Sequence, residues 1–275
     1  MTDIREYLAR KPLLFDGGMG TYYKTAPGAD CEMANLTDPE GVKKVHAEYL
    51  AAGAQAIKTN TFGLPRMAAA QMPGWEELAE AGWKLACDAA AEKDAAVFAD
   101  LGPAPDTEAA PASSAYGLVA QQFAALGAKN FLFETLSSDV GIVEAVKALR
   151  VAVPDAFVMV SFAVLPDGYT REGRHCAELV RSMTACGAVD AVGLNCVSAP
   201  GAMRTLVQQL GRTELPLSVM PNAGYPVVTR TRVQYQGRPE YFAREMVGLA
   251  AEGVRILGGC CGTTPAHIAA LRAAL

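Results

Sequence analysis

Short apolar segments alternate with longer alanine-rich segments along the whole chain. The short segments stay apolar until their last one or two residues, as strands buried on both faces of a parallel sheet do. The longer segments have helical spacing and helix start signals, such as Pro39 after Asp38 and Pro265 after Thr264. The eight predicted strands are residues 13–16, 56–59, 96–100, 130–134, 157–162, 191–194, 217–220 and 254–257.

Eight strand–helix units in 275 residues predict an α/β fold, a (β/α)8 TIM barrel that forms one domain over residues 1–275. A doubly wound open sheet is the alternative. It requires fewer strands and a phosphate-binding glycine motif after the first strand, and Gly17-Gly18-Met19-Gly20 lacks that spacing. Barrel enzymes bind substrates at the carboxyl ends of the strands, so we expect function at that face. The longest loops, residues 166–174 and 222–239, are predicted there, after the fifth and seventh strands.

Composition narrows the class of partner. A net charge of −5 and a pI near 5.3, with no basic run, argue against nucleic acid or an anionic membrane as the main partner. No segment reaches the roughly 18 apolar residues of a membrane span, and charged residues interrupt the first turns, so we expect a cytoplasmic protein. Seven cysteines, two of them adjacent, fit a reducing compartment and metal or thiol chemistry.

Three cysteines follow two predicted strands. Cys196 ends one strand segment, and Cys260 and Cys261 follow another between glycines. Adjacent cysteines cannot both obey the alternation of a strand and point at one atom, so the backbone must leave strand geometry there, which glycine permits. Three thiolates can hold one metal ion and leave a fourth tetrahedral position open, the arrangement of a catalytic zinc. The alternative is that these cysteines pack as small buried apolar residues.

Polar side chains also collect at the predicted strand ends. Glu134 follows three apolar residues, so its carboxylate needs a partner, and a ligand ammonium is a natural one. For the other polar residues at these strand ends, two interpretations are open: they bind a ligand, or they form hydrogen bonds with the backbone of a turn. They are Asp16, Asn60, Asp100, Thr135, Ser161, Asn195 and Asn222.

The strand-end motifs resemble those of the zinc-dependent homocysteine S-methyltransferase family, which includes the homocysteine domain of cobalamin-dependent methionine synthase. The resemblance covers almost the whole chain in order. Its motifs are Asp16-Gly17-Gly18-Met19-Gly20-Thr21, Thr59-Asn60-Thr61-Phe62-Gly63, Phe133-Glu134-Thr135, Gly193-Leu194-Asn195-Cys196, Pro221-Asn222-Ala223-Gly224 and Gly258-Gly259-Cys260-Cys261-Gly262-Thr263-Thr264-Pro265.

The resemblance implies a site residue by residue. Cys196, Cys260 and Cys261 match the zinc ligands, and Asp16 and Glu134 match carboxylates that hold the homocysteine amino group. The backbone amides of the glycines after Asp16 would approach the amino-acid carboxylate. The residues assigned to homocysteine binding are Asp16, Gly17, Gly18, Asn60, Glu134, Thr135, Ser161 and Asn195.

One departure from the family lies beside a predicted ligand. Cys196 is followed by Val197-Ser198-Ala199-Pro200, where relatives often have a more glycine-rich turn. The ligand itself is unaffected, and the shape of the turn is left open.

The expected reaction is methylation of homocysteine to methionine with Zn²⁺ as cofactor. A free thiol has a pKa near 8.5 and is mostly protonated at neutral pH, whereas a metal-bound thiol is deprotonated. The sulfur then attacks a methyl group in line.

Two kinds of methyl donor are compatible with the sequence. The chain ends at Leu275, directly after the last predicted helix, so we expect a donor that arrives as a small molecule or on another protein. A methyl-corrinoid or methyltetrahydrofolate-carrying protein is the first expectation. A small onium donor, S-methylmethionine or betaine, is the second, since an aromatic cage binds such cations. Candidates for a cage are Tyr22, Tyr23, Phe62, Phe162, Tyr169 and Tyr225.

Two functions of other classes remain open at this point. A non-catalytic barrel whose zinc only stabilises the fold would explain the cysteines but not the carboxylates at the strand ends. An iron–sulfur electron carrier would need a fourth cysteine near the same strand ends.

Overall fold

Ten strands are present in the computed structural model, which describes residues 3–23, 30–228 and 233–275. Eight are parallel and form one sheet, and β8 and β9 form a separate antiparallel hairpin. In chain order the strands are β1 (Leu13–Leu14), β2 (Ala56–Lys58), β3 (Ala96–Leu101), β4 (Asn130–Leu136), β5 (Phe157–Ala163), β6 (Ala191–Asn195), β7 (Leu217–Met220), β8 (Pro226–Val228), β9 (Val233–Tyr235) and β10 (Ile256–Leu257).

The parallel sheet closes on itself. Its strand order is β1-β10-β7-β6-β5-β4-β3-β2. Backbone hydrogen bonds from Gln55 N to Leu14 O, 2.7 Å, and from Asp16 N to Ala56 O, 3.0 Å, join β1 to β2. The predicted (β/α)8 barrel is therefore confirmed.

Helices connect the parallel strands and surround them. Asp38 caps α4 by accepting from Gly41 N at 3.1 Å, and Thr264 and His267 form a capping box at the start of α12, with proline in the first turn of both helices. The helices are α1 (Ile4–Arg10), α2 (Met19–Tyr23), α3 (Ala34–Thr37), α4 (Pro39–Ala51), α5 (Leu64–Ala69), α6 (Trp75–Ala91), α7 (Ala112–Ala125), α8 (Ile142–Ala152), α9 (Cys176–Cys186), α10 (Pro200–Leu210), α11 (Pro239–Ala251) and α12 (Pro265–Ala274), with a 3-10 turn at Cys31–Met33.

Within the described residues, every helix is too short or too polar to span a bilayer.

Side chains alternate between the outer and inner faces of the barrel strands, and they form two separate apolar clusters. One fills the space between strands and helices, and the other fills the barrel interior with side chains such as Phe15, Phe98 and Leu132. Because side chains alternate between the two faces of a strand, the next residue that points into the barrel comes two positions later. At that height the interior becomes polar, with Lys58 on β2, Asp100 on β3, Glu134 on β4 and Ser161 on β5, all buried.

One segment differs from the sequence-based expectation. The region between β7 and α11 was expected to be a long loop, whereas Pro226–Val228 pairs with Val233–Tyr235 as an antiparallel hairpin. Residues 229–232 of this region, and 24–29 after α2, lie outside the described residues. The apolar side chains Val227 and Val233 are about half exposed, so the hairpin buries little of its surface.

Burial of one histidine makes the stability of the fold depend on pH. His46 on α4 is fully buried, and neither ring nitrogen has a hydrogen-bond partner within the described part of the chain. Burial lowers the pKa of His46 to about 4. The unfolded chain therefore binds a proton below pH 6.5 that the folded protein does not.

We predict that this proton lowers the free energy of unfolding by about 2 kcal/mol between pH 7 and pH 5. A His46→Leu variant lacks the titrating ring, so its stability should fall less over the same interval by that amount. Urea unfolding of both proteins at each pH measures the difference. Parallel pH profiles for the two proteins would contradict the prediction.

Candidate active site

Three cysteine side chains meet at the carboxyl end of the barrel. Cys196 follows β6 directly, and Cys260 and Cys261 follow β10. Their sulfur atoms all lie within 4.8 Å of one another, and the Sγ atoms of Cys196 and Cys261 are 3.8 Å apart. Tetrahedral coordination with metal–sulfur bonds of about 2.3 Å separates sulfur atoms by about 3.8 Å. The three thiols could therefore hold one metal ion.

The turn after β6 is backbone-strained. Cys196 and Val197 have φ angles of 56° and 52°, in the left-handed region that β-branched residues such as valine rarely adopt. Hydrogen bonds from Cys196 N to Met220 O, 3.0 Å, and from Ser198 Oγ to Val164 O, 2.7 Å, hold the turn. Strain of this kind persists only where the surrounding structure enforces it, and it is typical of functional sites.

The turn after β10 is tied to two neighbouring strands. Cys260 N donates to Pro221 O beyond β7, and Gly259 N donates to Asp16 O beyond β1, both at 2.9 Å. A Cβ atom on Gly259 would lie 2.4 Å from Thr263 Oγ1, so only glycine fits there. The predicted departure from strand geometry therefore brings both adjacent cysteines to one centre.

The three thiols share protons. Hydrogen bonds from Cys196 and Cys260, with a further one from the Tyr235 hydroxyl, lower the pKa of Cys261. The hydrogen bond with Cys196 is the main cause that raises the pKa of Cys260, and burial raises it further. Cys261 is therefore the most acidic of the three thiols.

Beneath the cysteines lies a buried ion pair. Lys58 Nζ is 2.9 Å from Asp16 Oδ1, and the side chains are 7% and 2% exposed. The backbone N–H of Lys58 donates to Asp16 Oδ2 at 3.0 Å. Burial opposes the charge of Lys58, but the nearby carboxylates Asp16, Glu134 and Asp100 outweigh it and raise the pKa of Lys58. Lys58 therefore carries a positive charge within the barrel.

Two further carboxyl groups complete this layer. Burial raises the pKa of Glu134 to about 7 despite the opposing effect of Lys58, and burial followed by repulsion from Glu134 raises the pKa of Asp100 well above its usual value. Asn195 orients Glu134, since its Nδ2 donates to Glu134 Oε2 at 3.1 Å and to Thr135 Oγ1 at 2.8 Å. The layer is therefore poised to accept a cation.

The residues assigned to homocysteine binding from the sequence fall into two groups. Asp16, Glu134, Thr135, Ser161 and Asn195 lie at or next to the polar upper end of the barrel. Of the other three, Gly17, Gly18 and Asn60, the last two have structural roles, described next.

Two of the assigned residues are engaged elsewhere in the fold. The side-chain nitrogen of Asn60 donates to Cys31 O and Asn35 Oδ1, each at 2.9 Å, and so supports the loop after β1. The N–H of Gly18 donates to Thr263 Oγ1 at 3.0 Å. Of the two glycine amides assigned to the ligand carboxylate, the amide of Gly18 thus has an internal partner.

Sequence reasoning missed two residues of the site. Lys58 was included in a predicted strand but not considered as a site residue, although alternation from Ala56 places it on the inward face. Tyr235 was missed because it belongs to the hairpin that was expected to be a loop. Asp100 was considered a turn cap as readily as a ligand group, and it lies buried inside the barrel.

Comparison with known proteins agrees with this geometry. A family model described as homocysteine S-methyltransferase matches residues 13–275. Methionine synthase of Mycobacterium tuberculosis is 31% identical over 304 aligned residues, which cover 100% of this chain and 25% of that protein. The match with methionine synthase of Mycobacterium leprae has the same identity and coverage. The chain thus spans about a quarter of the length of these curated relatives.

A solved structure matches over its full extent. The metallated form of the homocysteine methyltransferase MmuM from Escherichia coli has a TM-score of 0.75 and 25% identity, covering 98% of this chain and 99% of that one. Its apo form has a TM-score of 0.74 and 28% identity, covering 99% of each chain. By these matches and by the arrangement of its strand-end residues, the chain belongs to the homocysteine S-methyltransferase family.

Proposed function

We propose that this protein is a zinc-dependent S-methyltransferase that methylates homocysteine to methionine, with residues 1–275 as its homocysteine-binding barrel domain. Membership of the family supports methyltransferase activity. The observation that carries the finer proposal is the cluster of Cys196, Cys260 and Cys261 at tetrahedral spacing, directly above a buried acidic layer.

The residues at the cluster fit a zinc ion. Three thiols are soft ligands that select zinc over magnesium or calcium. Asn222 lies between the two cysteine turns, since its N–H donates to Ser198 O and the next residue, Ala223, donates to Cys261 O. Its side-chain Oδ1 is buried and accepts no hydrogen bond from the described residues, so this oxygen is free to bind a ligand. Zinc bound there would keep the homocysteine thiol deprotonated.

The acidic layer supports recognition of the homocysteine ammonium. Several buried polar atoms at the upper end of the barrel have no hydrogen-bond partner among the described residues, and each such atom costs about 1–3 kcal/mol. A ligand ammonium supplies three donors to satisfy them. The atoms are Asp100 Oδ1, Ser161 Oγ and Asn222 Oδ1, and Asp16 Oδ1, which has the Lys58 ion pair, can accept a further hydrogen bond.

We propose that the methyl group comes from a separate corrinoid or methyltetrahydrofolate-carrying protein. Exposed apolar side chains from the segments after β1, β2, β4, β5 and β7 lie on the carboxyl face of the barrel, where a protein surface could dock. In the mycobacterial relatives the matched segment is part of a chain about four times longer. The exposed side chains are Met33, Leu36, Phe62, Val140, Tyr169, Tyr225, Val227 and Val233.

A small onium donor, S-methylmethionine or betaine, is the second candidate, since exposed aromatic side chains could bind its cation. Three of the six aromatic residues considered for a cage remain suitable, namely Phe62, Tyr169 and Tyr225, which are 38–53% exposed. Phe162 is fully buried, so it cannot face a donor. The hydroxyls of Tyr22 and Tyr23 donate to acidic side chains of the α3–α4 region. The loops at 21–30, 168–174 and 225–236 would close over such a cage, and the first and third extend into residues outside the described ranges.

Replacing any one of the three cysteines with serine should remove zinc and activity together, because two thiols cannot complete the site. Zinc content per chain and methionine formation are measured on the same preparation. Cys186→Ser is the matched control, since this half-buried cysteine on α9 lies outside the cluster and should leave both quantities unchanged. A Cys260→Ala variant with full zinc and full turnover would exclude the assignment.

Glu134→Gln should weaken homocysteine binding by about 1–3 kcal/mol, the cost of losing a charged hydrogen-bond partner. Zinc content should not change, because the carboxylate is assigned to the ammonium and not to the metal. Calorimetry with the zinc-loaded protein measures the affinity, and Glu144→Gln on the exposed face of α8 is the control. Loss of zinc with unchanged affinity in the remaining zinc-loaded fraction would refute this role.

The donor proposal predicts slow turnover with free small donors. Rates of methionine formation are compared for S-methylmethionine, betaine, methylcobalamin and a methylated corrinoid protein. If a protein delivers the methyl group, the last should be fastest, since the exposed apolar face then contacts its partner. Turnover with an onium donor alone at roughly 1 s⁻¹ or more, an ordinary enzyme rate, would favour the second candidate instead.

A further inference from the structure

Lys58 contacts both halves of the proposed site. Its ammonium lies 2.9 Å from Asp16 Oδ1 and 3.4 Å from Gly259 O, which immediately precedes the cysteine pair. Its own backbone N–H binds the other Asp16 oxygen at 3.0 Å. Each oxygen of the Asp16 carboxylate is therefore held by the same residue, once through its side chain and once through its main chain.

The contact leaves part of Asp16 available. Lys58 Nζ meets Oδ1 at 2.9 Å, and no second donor from the described residues reaches that oxygen. A carboxylate oxygen can accept two hydrogen bonds. The geometry therefore fixes the position of Asp16 and keeps an acceptor free for a ligand.

The charge balance explains why a buried lysine is compatible with binding of a cation. Asp16, Asp100 and Glu134 are three acidic groups within the layer, and Lys58 is the only lysine or arginine that is buried among the described residues. Without Lys58, three carboxyl groups shielded from water would retain protons, because like charges and burial both oppose ionisation. One internal cation lets Asp16 ionise while the layer as a whole still favours a second cation.

We propose that Lys58 is a positioning residue for the ammonium group of the amino-acid substrate, acting through the Asp16 carboxylate that it holds charged and in place. This inference rests on the proposed function, because it assumes that an amino acid with a thiol binds above the layer. Lys58 itself makes no contact with reacting atoms in this role.

The test compares two thiol ligands that differ only in the ammonium group, homocysteine and 4-mercaptobutanoate. Affinities of both are measured by calorimetry for the zinc-loaded wild type and for Lys58→Met, which keeps the length of the side chain and removes its charge. We expect Lys58→Met to weaken homocysteine binding about tenfold or more, the factor that loss of a charge-assisted contact produces, and to change 4-mercaptobutanoate binding less than about twofold.

Turnover separates positioning from chemistry. With homocysteine varied, Lys58→Met should raise KM while kcat stays within about twofold of wild type. Zinc content should be unchanged. Lys84→Met is the matched control, because this lysine also pairs with an aspartate, Asp88, but on the exposed face of α6, and all of these quantities should stay as in the wild type.

A double variant keeps the proposal testable if Lys58→Met alone does not fold with Asp16 left unpaired. Asp16→Asn and Asp16→Asn/Lys58→Met should bind homocysteine equally, since Lys58 acts only through the Asp16 charge. A further loss of affinity from Lys58→Met in the Asp16→Asn background would overturn the proposal.

Other results would also overturn it. Equal effects of Lys58→Met on both ligands would assign Lys58 a structural role, and tighter homocysteine binding would show that Lys58 repels the ammonium. Failure of the zinc-loaded wild type to bind either ligand would refute the proposed function itself. If the wild type binds both ligands and Lys58→Met changes both affinities by the same factor, only the role of Lys58 is refuted.

Discussion

Closure of the barrel determines which side chains can meet at its carboxyl end. Once β1 is hydrogen-bonded to β2, every strand has a fixed inward face, and residues at the same height on neighbouring strands form a shared layer. Apolar side chains such as Phe98 fill the lower interior. The next inward positions carry Lys58, Asp100 and Glu134, and the cysteine turns begin just above them. The metal centre and the acidic layer thus depend on one register.

The acidic layer is a feature that stability alone would disfavour. Each carboxyl group is buried, and the cost of removing a charge from water exceeds what one ion pair returns. The Asp16–Lys58 pair limits this cost, while Asp100 Oδ1 stays without a partner among the described residues. Groups kept in such surroundings are typical of binding sites, where a ligand completes the interactions that the free protein lacks.

Much of this organisation could be predicted from the sequence because two signals are local. Apolar segments of strand length located all eight barrel strands, and glycines around Cys260 and Cys261 indicated the turn that brings the thiols together. The pairing of Asp16 with Lys58 could not be predicted, since it depends on the register between β1 and β2. The hairpin was missed because its exposed strands, Pro226–Val228 and Val233–Tyr235, lack the buried apolar pattern of the barrel.

The spacing of the cysteines also has a redox consequence. Sulfur atoms of Cys196 and Cys261 that lie 3.8 Å apart need to approach by less than 2 Å to reach the disulfide bond length of about 2.05 Å. An oxidant that accepts two electrons would join them as a disulfide and release the protons that the two sulfur atoms carry, which would remove two of the three candidate metal ligands at once. A bound metal ion engages the same sulfur electrons, so occupancy of the site would oppose this reaction. The spacing that suits a soft metal ion is thereby also one from which two of the three thiols can close to a disulfide when no metal is bound.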